Sequence, residues 1–237
     1  MRTDSEICEE RVTVASGAAR VEGILAYPFE RRVNRSALIA GPHPLLGGNV
    51  DNNVVRALRR ALVHAGYAAL SFGYRHPDAL GDGARGWSAM TAGFWRDGRC
   101  DEEALWLEDA RAAAGALRDW TQPAKPLLVG YSFGCCAVAA CAATVDPAGV
   151  ALISPNPRRH DFAPLATCAA PLLVVQSDND FTCTLGEGAE WFASLREPKT
   201  RVVLSAGEHF FRGCEAQLRD ALLTFLNEHV EAGHAAC

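Results

Sequence analysis

From Ser36 onward the chain alternates short apolar runs with segments whose apolar residues recur at helical spacing, and this alternation limits the fold more than any single residue does. The runs are SALIAG, YAALSFG, PLLVGYS, GVALISP, PLLVVQS and RVVLSAG. Between them lie DNNVVRALRRALVHAG, EEALWLEDARAAAGALRDW, GCCAVAACAAT and GEGAEWFASLRE, and CEAQLRDALLTFLNEHV closes the series. Buried strands joined by amphipathic helices imply a mostly parallel sheet covered on both faces. Ahead of them RVTVAS and ARVEGILAYP, separated by a Gly-containing turn, read as an antiparallel hairpin. The expected architecture is therefore α/β, with about eight strands in one central sheet. A chain of 237 residues, 49% of them hydrophobic, suffices for a full core of this kind in a single domain spanning residues 1–237.

Charge and cysteine usage narrow the partners. The formal net charge is −5 with no run of Lys or Arg, which argues against nucleic acid or an anionic membrane surface as the main partner. The opening MRTDSEICEERV has no apolar signal-like region and no run approaches the length of a membrane span, so a cytoplasmic protein is expected. The nine cysteines include no C-x-x-C pair, so no metal site is indicated and the thiols are expected to be free, as small hydrophobes. Cys183, just past an acidic loop, is the one whose reactivity merits a check.

In a parallel α/β sheet ligands bind at the C-terminal ends of the strands, so the side chains that follow each run matter most. After PLLV comes Gly130-Tyr131-Ser132-Phe133-Gly134 and then a helix of small residues. G-x-S-x-G between strand and helix is the nucleophile elbow, a sharp turn that lifts the serine hydroxyl above the sheet. Residues two before and two after the serine approach closely, which favours glycine at both places. The helix also turns its N-terminal N–H groups toward the serine. A serine hydroxyl needs a base within reach and an acid to orient that base. VVQSDNDFTC puts Asp178 and Asp180 past one strand, and LSAGEHFFRG puts His209 past the next. Asp180, three residues after Ser177, is the preferred acid, and Asp178 is read as a turn cap. His43, in AGPHPLLGGNVDN after SALIAG, admits either a structural or a catalytic role. Hydrolytic sites of this build take a second oxyanion donor from that loop. Pro44 has no N–H, so Leu45 is the expected partner of the Phe133 N–H.

The chain resembles the α/β-hydrolases, and more narrowly the small bacterial serine hydrolases that carry H-P-H-P-x-x-G-G, G-x-S-F-G and G-x-H-F-F. Here these read Gly41-Pro42-His43-Pro44-Leu45-Leu46-Gly47-Gly48, Gly130-Tyr131-Ser132-Phe133-Gly134 and Gly207-Glu208-His209-Phe210-Phe211. The resemblance implies a Ser132, Asp180, His209 triad, no cofactor, and esterase chemistry on a small-molecule ester or thioester. Thioesterase or amidase chemistry would use the same residues, and a non-catalytic binding protein on this fold is the rival from another class. Gly41 departs from the pattern, which has histidine there, so no role of that histidine carries over.

A second departure is the segment after YAALSFGYR, which is longer than the resemblance implies and is expected to be irregular. Residues 78–101 are read as a lid-like insertion whose Trp87, Met90, Phe94 and Trp95 either wall the acyl pocket or anchor the loop on the core or on a second subunit of a homodimer. His43, Leu46, Tyr74, Trp87, Phe94, Trp95, Tyr131 and Phe210 form the expected substrate-contacting set.

Overall fold

A computed structural model describes residues 7–29, 33–76, 87–98, 100–121, 125–205 and 207–231. Its strands are β1 Ile7–Ser16, β2 Ala19–Pro28, β3 Ser36–Ala40, β4 Ala68–Phe72, β5 Leu127–Tyr131, β6 Gly149–Ile153, β7 Leu172–Ser177 and β8 Lys199–Leu204. Its helices are α1 Asn53–His64, α2 Trp87–Asp97, α3 Glu103–Thr121, α4 Phe133–Ala142, α5 Leu185–Ser194 and α6 Glu215–Phe225. The strands form one eight-stranded sheet in the order β1-β2-β4-β3-β5-β6-β7-β8. The hairpin pairs antiparallel through Ser16 and Ala19, and β2 pairs antiparallel with β4. Every other pair is parallel. This is the expected architecture.

The apolar runs supply two cores because successive side chains of a strand point to opposite faces. Leu38, Leu70, Leu128, Leu152 and Val174 join one buried cluster, which takes in Trp106 and Leu117 of α3 and Val138 of α4. Ile39, Ala69, Val129, Ile153 and Val175 join the other, closed by Leu58 of α1 and Leu222 of α6. All ten residues of α4 are buried, which explains why after Phe133 that helix is built from Gly, Ala, Cys and Val. Behind β4, the Arg75 guanidinium donates two bonds to the buried Asp109 carboxylate, at 2.8 and 2.6 Å, and ties α3 to the strand ends.

Strand order sets where a ligand can enter. From β3 the chain passes to β4 on one side, then returns past β3 to β5 on the other. Loops leaving the C-terminal ends of β3 and β5 therefore diverge across the two faces and open a crevice between them. Both the His43 loop and Ser132 lie at that crevice.

The structure corrects the reading of the segment after β4. Trp87–Asp97, expected to be irregular, is the helix α2, with Met90, Gly93 and Phe94 buried. Residues 78–86 and Arg99, also part of the expected insertion, lie outside the described residues. No helix among the described residues is long and apolar enough to cross a membrane.

Candidate active site

At the β5–α4 junction Ser132 sits at φ 56° and ψ −119°, a left-handed backbone that an L-residue adopts only under constraint. The constraint comes from its neighbours. A Cβ on Gly130 would lie 2.4 Å from the Gly134 carbonyl oxygen, and one on Gly134 would lie 2.0 Å from that of Ala40. Gly134 is thus required by the end of β3 as well as by the turn itself. The Phe133 N–H, the first of α4, has no acceptor among the described residues, as expected at a helix N-terminus.

The serine hydroxyl has a partner from across the sheet. Ser132 Oγ is 3.1 Å from His209 Nε2, and His209 Nδ1 is 3.0 Å from each oxygen of Asp180. The carboxylate at Nδ1 holds the proton on that nitrogen and leaves the Nε2 lone pair facing the hydroxyl. The His209 and Asp180 side chains are 7% and 2% exposed. Burial pushes the Asp180 carboxyl up, but the hydrogen bond and charge of His209 outweigh it and hold the group at about 2. Thr182 donates its N–H and its hydroxyl to Asp180 Oδ1, both at 2.8 Å, and Tyr131 donates its hydroxyl to the His209 carbonyl at 2.9 Å. Asp178, in contrast, is exposed, with its N–H bonded to the Leu204 carbonyl.

The His43 loop differs from expectation. The Leu45 N–H donates to His43 Nδ1 at 3.2 Å and caps the short 3-10 turn Pro44–Leu46, so it is not a free oxyanion donor. The N–H groups of Leu46 and Gly48 go to the His43 carbonyl. His43 itself is 2% exposed among Phe94, Trp106 and Phe133, with ring centroids 4.3, 5.0 and 4.9 Å away. Its Nε2 has no hydrogen-bond partner and faces Glu103 Oε1 at 3.5 Å. His43, Cys100 and Glu103 bring ligand-type atoms within 4.8 Å of one another. That set does not fit a metal, because accepting from Leu45 places the neutral ring's proton on Nε2, the atom that would ligate.

A cleft of 320 Å³ opens in front of Ser132 and His209. Of the expected substrate contacts, His43, Leu46, Phe94, Trp95, Tyr131 and Phe210 line it. Tyr74 and Trp87 do not. Tyr74 lies beneath the floor, its hydroxyl donating to the Gly41 carbonyl at 3.1 Å and its ring edge-on to Phe133. Trp87 stacks on His76, ring centroids 5.3 Å apart and nearly parallel. The cleft adds Phe181, Asn156 and Arg159, none of which the sequence reading singled out. Phe181, 73% exposed, sits 5.0 Å from the His209 ring, and its place beside Asp180 was the available signal. Cys183, held as a possible reactive thiol, is 3% exposed, and burial pushes its thiol up. It is a packed side chain rather than a nucleophile.

No family model matches the chain. An uncharacterized protein of Rickettsia prowazekii (strain Madrid E) is 27% identical over 204 residues, which cover 80% of this chain and 77% of that one. Among solved structures, an α/β serine hydrolase homologue from Coxiella burnetii superposes with a TM-score of 0.76 at 26% identity, over 92% of this chain and 97% of that one. A Xanthomonas campestris protein described as an α/β serine hydrolase without a lid gives 0.76 at 24% identity, over 92% and 94%. The esterase domain of a Rhodothermus marinus protein gives 0.69 at 22% identity, over 95% and 99%.

Proposed function

We propose that this chain, which belongs to the α/β-hydrolase superfamily, is a serine hydrolase that cleaves small or medium acyl esters through an acyl-enzyme on Ser132. The observation that carries the proposal is the hydrogen-bonded series Ser132–His209–Asp180 at the mouth of a largely aromatic cleft. His209 Nε2 takes the proton as Ser132 Oγ attacks the ester carbonyl, and Asp180 holds the imidazolium that results. The Phe133 N–H donates to the developing oxyanion. Leu45 joins it only by giving up His43, so a second donor requires a shift in that loop. His209 then protonates the leaving alcohol, and water repeats the sequence on the acyl-enzyme to release the acid. The apolar walls offered by Leu46, Phe94, Trp95, Phe181 and Phe210 suit an acyl chain of a few carbons, and α2 stands as one wall of that pocket.

Two measurements test the reading. A fluorophosphonate probe is expected to label wild-type protein and not Ser132→Ala. A series of p-nitrophenyl esters of rising chain length, run beside matched thioesters, is expected to show turnover with an optimum at short or medium length. Absence of both labelling and turnover would turn the assignment toward a binding protein on this fold.

A further inference from the structure

The charges on the cleft wall are unequal. Among the described residues lining it there is no Asp, Glu or Lys, and Arg159 carries the only permanent charge. The neighbouring His160 does not add a second cation near neutral pH, since burial pushes its imidazole down and outweighs the opposing effect of Glu103. This cationic point stands in a protein whose net charge is −5.

Arg159 is also unspent. Its neighbour Arg158 is paired with Glu187, and the nearest carboxylate along α2, Asp97, is engaged by Arg96 at 2.8 Å. The Arg159 guanidinium has no hydrogen-bond acceptor and no ion pair among the described residues, although its group is a five-donor fork. Yet it is positioned. Its backbone N–H bonds to the Asn156 carbonyl at 3.2 Å in the turn after β6. Its head lies on the bare backbone of Gly98, where a Cβ would come 2.9 Å from Cζ and 3.1 Å from Nε. The end of α2 thus leaves room for the guanidinium beside the pocket that Phe94 and Trp95 wall.

We propose that Arg159 is an anion subsite and that the preferred substrates are esters bearing a carboxylate at the end remote from the scissile bond. The inference rests on the reading of Ser132 as nucleophile and deepens it by naming the substrate class. An uncompensated guanidinium at the cleft recognises a carboxylate through paired N–H···O bonds and raises its local concentration by attraction. The aromatic walls hold the carbon chain between the two ends. Arg158, spent on Glu187, takes no part.

The experiment compares acid esters with neutral esters of matched length. Mono-p-nitrophenyl glutarate is set against p-nitrophenyl methyl glutarate, which places the carboxylate on the acyl side. 4-Acetoxybenzoate is set against its methyl ester, which places it on the alcohol side. At least one acid ester is expected to exceed its neutral partner in kcat/KM by about tenfold or more, the scale of a charged hydrogen bond. Arg159→Gln should erase that ratio, Arg159→Lys should keep part of it, and Arg158→Gln should leave it unchanged. Raising the salt concentration should shrink it. Equilibrium binding of monomethyl glutarate and dimethyl glutarate to Ser132→Ala protein provides a readout that needs no turnover, with the monoanion expected to bind more tightly only while Arg159 is present. If neither acid ester is favoured, or if Arg159→Gln lowers both members of a pair equally, the anion subsite is overturned while phosphonate labelling keeps Ser132 as nucleophile. A fall in Tm of Arg159→Gln with no change in any ratio or in binding would likewise overturn it and assign the side chain to holding the end of α2. Loss of labelling together with turnover would instead defeat the reading of the nucleophile.

Discussion

On the sheet side of the cleft the backbone is held by contacts that leave no space for a single extra carbon, whereas on the α2 side the wall is a helix seated by a few side chains. Gly134 touches the end of β3 so closely that a Cβ would meet the Ala40 oxygen at 2.0 Å. Asp180 and His209 are fastened to that side by Thr182 and Tyr131. Opposite, α2 buries Met90 and Phe94 but leaves Trp95 69% exposed. Distances among reacting groups have to be kept within a few tenths of an ångström for catalysis, while a binding wall tolerates more. The two sides are therefore expected to vary independently, chemistry with one and substrate choice with the other.

The strongest way to break that division is at the serine. Ser132→Ala is expected to lower kcat by on the order of 10³ to 10⁶ with Tm little changed, because the missing atom is a hydroxyl facing the cleft. Retention of more than about a tenth of wild-type esterase activity would remove Ser132 from the mechanism. Next comes the acid. Asp180→Asn is expected to cost roughly 10⁴ in kcat by favouring the wrong tautomer of His209. Asp178→Asn, altering an exposed carboxylate, is expected to leave kcat near wild type. The reverse order of the two aspartates would move the acid and contradict the geometry of the sheet side.

How far the sequence reveals each side follows the same division. Strand ends, the elbow and the order Ser132, Asp180, His209 are legible because backbone sterics require particular residues at particular places, such as glycine at 130 and 134. The α2 side is less legible. WSAMTAGFWRD lacks a clean apolar stripe and sits among Gly, Arg and Asp, so it reads as loop, and packing of Met90 and Phe94 on the core is what makes it helix. Tyr74 and Trp87 look like pocket residues by type, but a hydroxyl bond to Gly41 and a stack on His76 place them elsewhere. Leu45 follows only from what Pro44 lacks, and the competing acceptor, His43 Nδ1, is a matter of side-chain rotamer that spacing does not encode. Arg159 is one arginine in the run PRRHD, and nothing in that run distinguishes the paired side chain from the unpaired one.

Acid titration sharpens the contrast at smaller scale. The Asp180 carboxyl stands at about 2, against an ordinary 3.8, despite the burial that opposes this. Because its folded value is the lower one, the unfolded chain takes up the proton first as pH falls. The group therefore contributes stability above about pH 4, and that contribution is lost as pH drops toward about 2. At about 1.4 kcal/mol per unit, this amounts to roughly 2 kcal/mol. Thermal melts from pH 6 to pH 2.5 are expected to show a steeper fall for wild type than for Asp180→Asn. Parallel curves would show that the carboxylate is not held as the structure places it.

The smallest effect separates two tryptophans on the same helix. Trp95 lines the cleft and Trp87 does not, although both are partly exposed and only eight positions apart along α2 and its start. Trp95→Ala removes apolar surface that a longer acyl chain would cover, and one methylene in an apolar pocket is worth about 1 to 3 kcal/mol of discrimination. The ratio of kcat/KM between long and short p-nitrophenyl esters is expected to shift by about tenfold, at the low end of that range. Phosphonate labelling of Ser132 should persist, since no reacting group moves. Trp87→Ala is expected to leave the ratio within about twofold and to lower Tm instead, through loss of the stack on His76. If Trp87 shifts the chain-length profile as much as Trp95 does, α2 does not act as a fixed wall with one face toward the substrate. The separation between a rigid chemical side and an adjustable binding side would then have to be drawn at a different place in the cleft.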